Sequence, residues 1–229
     1  MKTIGIIGGL AWPSTITYYQ NINRLISEKL GPLHCAKLII VQINFDQITK
    51  WINSEQWEKV AEALLSLARQ LERGGADFIV VACNTVHKVV PAIQDQIPLP
   101  ILHIVDAASG KIRELGFSRV GLIGSALTMT DDYFAGRLAK YQIEALLPSE
   151  GDQKMIHHAL ETELAPGIFL PETRARFKEA IGRLIERGAE AIVLGCTEFG
   201  KLVQADDSSV PLIDTAKVHS EMAAKMALS

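Results

Sequence analysis

Apolar residues fall along this chain in two alternating rhythms. Short, nearly unbroken apolar runs occur at 3–9 (TIGIIGG), 36–43 (AKLIIVQI), 77–83 (DFIVVAC) and 100–105 (PILHIV). Between them lie longer stretches whose apolar residues recur at helical spacing. One is TITYYQNINRLISEKLG (15–31), which stops sharply at Gly31-Pro32. Another is EQWEKVAEALLSLARQLERGG (55–75), where Val60, Leu64, Leu67 and Leu71 share a face and Gly74-Gly75 closes the helix. Strands that are apolar throughout, separated by helices of this length, predict a parallel sheet covered on both faces.

The rhythm then restarts. RVGLIGS (119–125) echoes TIGIIGG, TDDYF (130–134) echoes TITYY, and TRARFKEAIGRLIERGAE (173–190) echoes the 55–75 helix. AIVLGC (191–196) echoes FIVVAC, and VPLIDTA (210–216) echoes LPILHI, with offsets of 111 to 116 residues. The expected fold class is therefore α/β, with two similar halves carrying mainly parallel sheets. The expected domains are 1–98 plus 208–229, with the C-terminal helix returning to the first half, and 99–207. The polar stretch LLPSEGDQK (146–154) reads as an ordinary surface loop before MIHHALETELAPG.

Composition narrows the partners. The 229 residues are 48% hydrophobic and 21% charged, with a formal net charge of −3. That balance offers no basic footprint for nucleic acid or an anionic membrane surface. The opening apolar run is too short for a signal sequence or a membrane span, so a cytoplasmic protein is expected. The three cysteines, Cys35, Cys83 and Cys196, include no CxxC pair, and Cys and His form no cluster at the short spacing a zinc site needs. Neither a disulfide framework nor a metal site is expected.

The cysteines then become the chemical question. Cys83 and Cys196 end equivalent strands in the two halves, and each precedes polar residues that open a helix, Asn84-Thr85 and Thr197-Glu198. Ligands of open parallel sheets bind beyond the carboxyl ends of the strands. A helix dipole and free N–H groups there favour a thiolate. One cysteine ending an apolar strand is ordinarily a small core residue. Two at matched positions point instead to paired bases acting on one carbon from opposite faces, in a cleft between the halves. Cys35 has no matching position and is expected to be structural. Ser14, Thr15, Ser125 and Thr128 follow the first strand of each half and offer hydroxyls to a carboxylate, or cap helices. His87 is placed to support Cys83 or to sit on the surface, and Glu198 to orient a ligand or proton or to offset a dipole. His157-His158 reads as solvated. The glycines of GIIGGLAWPST do not make a dinucleotide fingerprint.

GGLAWPSTITYYQNIN, CNTVHKV and LGCTEFGKLV together resemble the aspartate/glutamate racemase family, in its aspartate racemase branch. The likeness covers nearly the whole chain. It implies two Rossmann-like halves with the active site in the cleft between them, a homodimer, an acidic amino-acid substrate and no PLP or other cofactor. It further implies that Cys196 takes the α-proton of the L-enantiomer while Cys83 protonates the opposite face, with roles exchanged in reverse. Asn84, Thr85 and Thr197 match family positions that hold the amino and carboxylate groups, and Gly9, Leu10, Trp12 and Ser14 match a pocket-lining loop. The chain departs from the family in its side-chain grip. It lacks the Asp-Ser-Gly of glutamate racemases, it offers Lys50 but no Arg in NFDQITKWINS, and it has Ala165-Pro166 where a Lys is expected. Lys50 or Arg174 would have to take over that task.

Three activities are set against one another. A racemase of aspartate, or of glutamate or a broader set, needs both cysteines. A decarboxylase of the same superfamily needs one. A two-lobed binding protein needs neither, and would be stabilised by ligand without exchanging its α-proton.

Overall fold

The computed structural model describes residues 1–229. Contacts divide the chain into two compact units, residues 1–104 with 219–229, and residues 105–218.

The first unit contains β1 (Ile4–Gly8), α1 (Trp12–Leu30), β2 (Leu38–Gln42), α2 (Phe45–Asn53), α3 (Trp57–Arg73), β3 (Phe78–Val81), α4 (Val90–Gln94) and β4 (Ile101–Leu102). Its four-stranded sheet has the order β2-β1-β3-β4, with every pair parallel. Ile7 pairs with both Val41 and Val81, which sets β1 in the middle. Every residue of β1 and β3 is buried. This is why those runs carry no polar alternation: both faces of a central parallel strand meet helices. Val60, Leu64, Leu67 and Leu71 of α3 join Ile7, Ile79 and Val81 in one apolar cluster. On α1 the spacing of Tyr18, Ile22 and Ile26 gives its buried stripe.

The second unit holds α5 (Ile104–Glu114), β5 (Arg119–Gly124), α6 (Ala126–Thr130), α7 (Asp132–Ala139), β6 (Glu144–Leu146), α8 (Glu150–Ala159), α9 (Pro171–Glu186), β7 (Ala191–Gly195), α10 (Phe199–Leu202) and β8 (Leu212–Asp214). Its sheet order, β6-β5-β7-β8, repeats the first, again all parallel. Phe177, Ile181 and Leu184 of α9 pack with Ile123, Ile192 and Leu194 as α3 packs in the first unit. The last helix, α11 (Thr215–Leu228), begins in the second unit and ends in the first.

The structure differs from expectation at several places, each with a local cause. The units divide at 104/105 and 218/219, against the expected 98/99 and 207/208, because β4 pairs with β3 and β8 with β7. The apolar run at 100–105 yields only two strand residues before α5 begins. Of the expected loop at 146–154, Leu146 ends β6, residues 147–149 connect, and residues 150–154 already form the first half of α8. Ser149 Oγ accepts from Asp152 N at 3.2 Å and donates to Asp152 Oδ2 at 2.9 Å, a side-chain cap. Arg183 then fixes Asp152 through two bonds of 3.0 and 2.6 Å and holds its carboxyl below the usual carboxylate range.

The returning helix brings an imidazole into the first unit's interior. His219 is fully buried; its Nδ1 accepts from the Tyr18 hydroxyl at 2.8 Å, and its Nε2–H donates to Leu102 O at 2.8 Å. That pairing assigns the proton to Nε2, since a carbonyl can only accept. Burial pushes the His219 pKa down to about 3, so the folded protein keeps this ring neutral where the unfolded chain would charge it.

Two predictions follow from this packing. Because the folded pKa of His219 lies below its unfolded value, its contribution is intact above pH 6.5 and declines as the pH falls toward about 3. The expected loss is roughly 1 kcal/mol per pH unit. Urea unfolding at several pH values between neutrality and pH 5 should show that slope, and His219→Gln should flatten it. At the end of β1, the buried Gly9 N–H donates to Thr15 Oγ1 at 2.9 Å. Thr15→Val keeps the shape but strands that donor, and should lower the unfolding free energy by about 1–3 kcal/mol in the same measurement.

Candidate active site

Both sheets deliver their polar residues to the carboxyl ends of their strands. In the first unit β1 ends in glycines because the backbone there has no room for anything else. A Cβ on Gly8 would lie 2.6 Å from the Thr15 side chain, and Gly9 sits at φ +76° with Ile43 O against its α-carbon. Ala11 also takes a positive φ of 69°, unusual for a residue with a side chain. The result is a tight turn that buries Leu10, Ser14 and Thr15 and leaves Trp12 exposed.

Cys83 follows β3 and is half-buried against that unit's apolar cluster. Its N–H donates to Val81 O at 2.9 Å. Asn84 is buried, Thr85 is half-buried, and the chain winds through a 3-10 turn at Thr85–Val89 into α4. His87 is buried, and its Nδ1–H donates to the Cys83 carbonyl at 2.7 Å. Its ring packs edge-on against His103 and His219, with centroids 4.8 and 5.6 Å away. A chain of buried rings from Tyr18 to His87 thus underlies the Cys83 turn.

The second unit repeats the plan with different detail. β5 ends at Gly124, where a Cβ would lie 2.6 Å from the Thr128 methyl, as at Gly8 and Thr15. Ser125 Oγ caps α6 by accepting from Thr128 N at 3.4 Å. Thr128 Oγ1 in turn bonds Ser125 Oγ at 3.1 Å and Tyr133 Oη at 2.8 Å. Cys196 follows β7, half-buried against the second cluster. Its thiol donates to Glu198 Oε2 at 3.0 Å, and the Thr197 hydroxyl donates to the same oxygen at 2.7 Å. Thr197 and Glu198 are both buried. Asp214, at the end of the neighbouring strand β8, has its pKa raised, first by burial and additionally by the charge of Glu198.

The remaining residues singled out by the sequence have these surroundings. Lys50 is exposed on α2 and pairs with Asp46 at 2.7 Å. Arg174 is engaged by Asp207 at 2.7 Å and Asp206 at 2.8 Å. Cys35 is exposed, not a core residue. His157 is fixed by Ala126 N at 3.3 Å and lies 3.5 Å from Glu161. The segments after the cysteines are a 3-10 turn and a four-residue helix. Helices that short supply little dipole, so the expected thiolate stabilisation by helix ends is small, and neighbouring side chains matter more. His103, His219, Tyr133 and Asp214 were not singled out by sequence pattern, because their roles come from residues far along the chain. No group of three or more His, Cys, Asp and Glu side chains is placed to hold a metal ion. No helix is long and apolar enough to cross a membrane.

Comparison with known proteins agrees with this duplicated plan. A candidate Asp/Glu racemase from Yersinia pestis superposes with a TM-score of 0.95 at 38% identity, covering 100% of both chains. An aspartate racemase homologue from Pyrococcus horikoshii superposes with a TM-score of 0.89 at 31% identity, again over 100% of both. A glutamate racemase from Shewanella is 25% identical over 168 residues, which are 71% of this chain but only 60% of that protein. The family model for Asp/Glu/hydantoin racemases matches residues 7–223, so this chain is a member of that family.

Proposed function

We propose that this protein interconverts the L- and D-enantiomers of an acidic amino acid, aspartate first, by a two-base reaction of Cys83 and Cys196 that uses no cofactor. The observation that carries the reading is the matched placement of the two thiols, each directly beyond the corresponding interior strand of its own sheet, β3 or β7, in a member of a racemase family. One thiolate removes the α-proton while the other thiol delivers a proton to the opposite face, and the return reaction exchanges the roles.

The α-proton is a very weak acid, so charge that builds on the carboxylate must be met by donors already in place. Backbone N–H groups of the turns after β1 and β5, with Ser14, Asn84, Thr85, Ser125, Thr128 and Thr197, are the groups assigned to it. Gly9, Leu10 and Trp12 line the same turn. The full-length likeness to an aspartate racemase homologue supports aspartate. Glutamate is the nearest alternative, supported by the Shewanella relative. Lys50, exposed on α2 beside Asp46, is the group assigned to grip an acidic side chain, with Arg174 the other cation weighed for it, and the substrate panel tests that assignment.

The test is proton NMR of the purified protein with L-aspartate in D₂O without PLP, followed by chiral chromatography. The α-proton signal should disappear and D-aspartate should form. Cys83→Ala and Cys196→Ala should each slow racemisation by about 10²–10⁴-fold, the usual range for losing a positioned acid or base. Full racemisation by either variant would sink the two-base scheme, and inactivity on aspartate with turnover of glutamate would move the substrate.

A further inference from the structure

The two cysteine segments differ at one position that matters for protons. Two residues beyond Cys83 stands Thr85, whereas two residues beyond Cys196 stands Glu198. The Glu198 carboxylate is buried and accepts the Cys196 S–H at 3.0 Å. A carboxylate in that position stabilises the thiol through the hydrogen bond and opposes the thiolate by like charge. The other charged groups on the adjoining elements are Asp214, whose field reaches Glu198, with Lys217 beyond it on α11 and the exposed Lys201 on α10. Beside Cys83, the His87 N–H donates to the cysteine's main-chain carbonyl.

We infer that Glu198 keeps Cys196 as the protonated thiol of the resting protein, so that the two sulphurs are unequal before any substrate arrives. The consequence for turnover rests on the racemase reading. Cys83 as thiolate takes the α-proton, and the Cys196 S–H gives its proton to the opposite face and becomes a thiolate. Protons balance, but the product form of the protein is inverted. It returns to rest when Cys83 releases its proton to water and Cys196 regains one beside Glu198. With the roles given above, the resting form is the one that acts on the D-enantiomer.

The test labels the wild-type protein with iodoacetamide across a pH series and reads each cysteine separately by peptide mass spectrometry. Exposed Cys35 serves as the internal reference. The quantity compared is the pH midpoint of labelling, which reports thiol ionisation, whereas a merely structural change alters the plateau rate. Cys196 should show a higher midpoint than Cys83. Glu198→Gln should lower the Cys196 midpoint by about one pH unit, which is roughly tenfold faster labelling near neutrality, and leave Cys35 unchanged. A Cys196 midpoint at or below that of Cys83, or one unmoved by Glu198→Gln, overturns the inference. Should Glu198→Gln fail to fold by circular dichroism, Thr197→Val decides. It removes the competing donor from the same oxygen and should raise the Cys196 midpoint, and a fall overturns the inference. Labelling needs no turnover, so a protein that racemises nothing still answers it, and failure of the racemase reading appears separately in the chiral assay.

Discussion

Parallel pairing of β1 between β2 and β3, repeated by β5 between β6 and β7, constrains everything else in this molecule. A central parallel strand spends its backbone groups on both neighbours and buries both faces under helices. Nothing polar can sit within Ile4–Gly8 or Ala191–Gly195 without stranding a group in the core. Polar side chains are therefore excluded until the strand stops, and the first residues allowed to be chemical are those just past its carboxyl end. Gly9, Ser14, Cys83 and Asn84 in one unit, and Ser125, Thr128, Cys196 and Thr197 in the other, all occupy that place.

Within this shared frame the two units have diverged by substituting what lies under the thiol. The Cys83 turn rests on aromatic and imidazole rings, with His87 tied to the main chain and His219 held neutral by its burial. The Cys196 turn rests on carboxylates, Glu198 against the thiol and Asp214 one strand over. Gly8 against Thr15 and Gly124 against Thr128 keep the same close approach in both units, so the geometry of the strand ends is preserved while the electrostatics differ.

Much of this was legible in the chain because parallel strands leave strong marks. Runs such as FIVVAC and AIVLGC announce central strands, their recurrence announces the duplication, and the cysteines at their ends are visible for the same reason. What escaped has equally physical causes. Ser149-Glu-Gly-Asp152 has a loop's composition, but the Ser149 side chain turns it into a helix start. ILHIV looks like one strand, yet its last residues begin α5. The rings around His87 come from positions 18, 103 and 219, whose meeting depends on the tertiary fold and leaves no local pattern. The Cys196–Glu198 contact was within reach of the eye, since the residues are two apart, but spacing alone does not say that the carboxylate turns back to the sulphur.

The path of α11 has a consequence for how the protein is made. His219 and the last turns of the chain belong to the first unit, where Lys2 N also donates to Ala227 O at 2.8 Å. A ribosome delivers residues 1–104 long before it delivers those that fill the space beside Tyr18 and Leu102. The second unit is contiguous and has all its strands by Asp214. The half begun first is thus the half completed last, and until residues 219–229 arrive it carries an open seam in its interior.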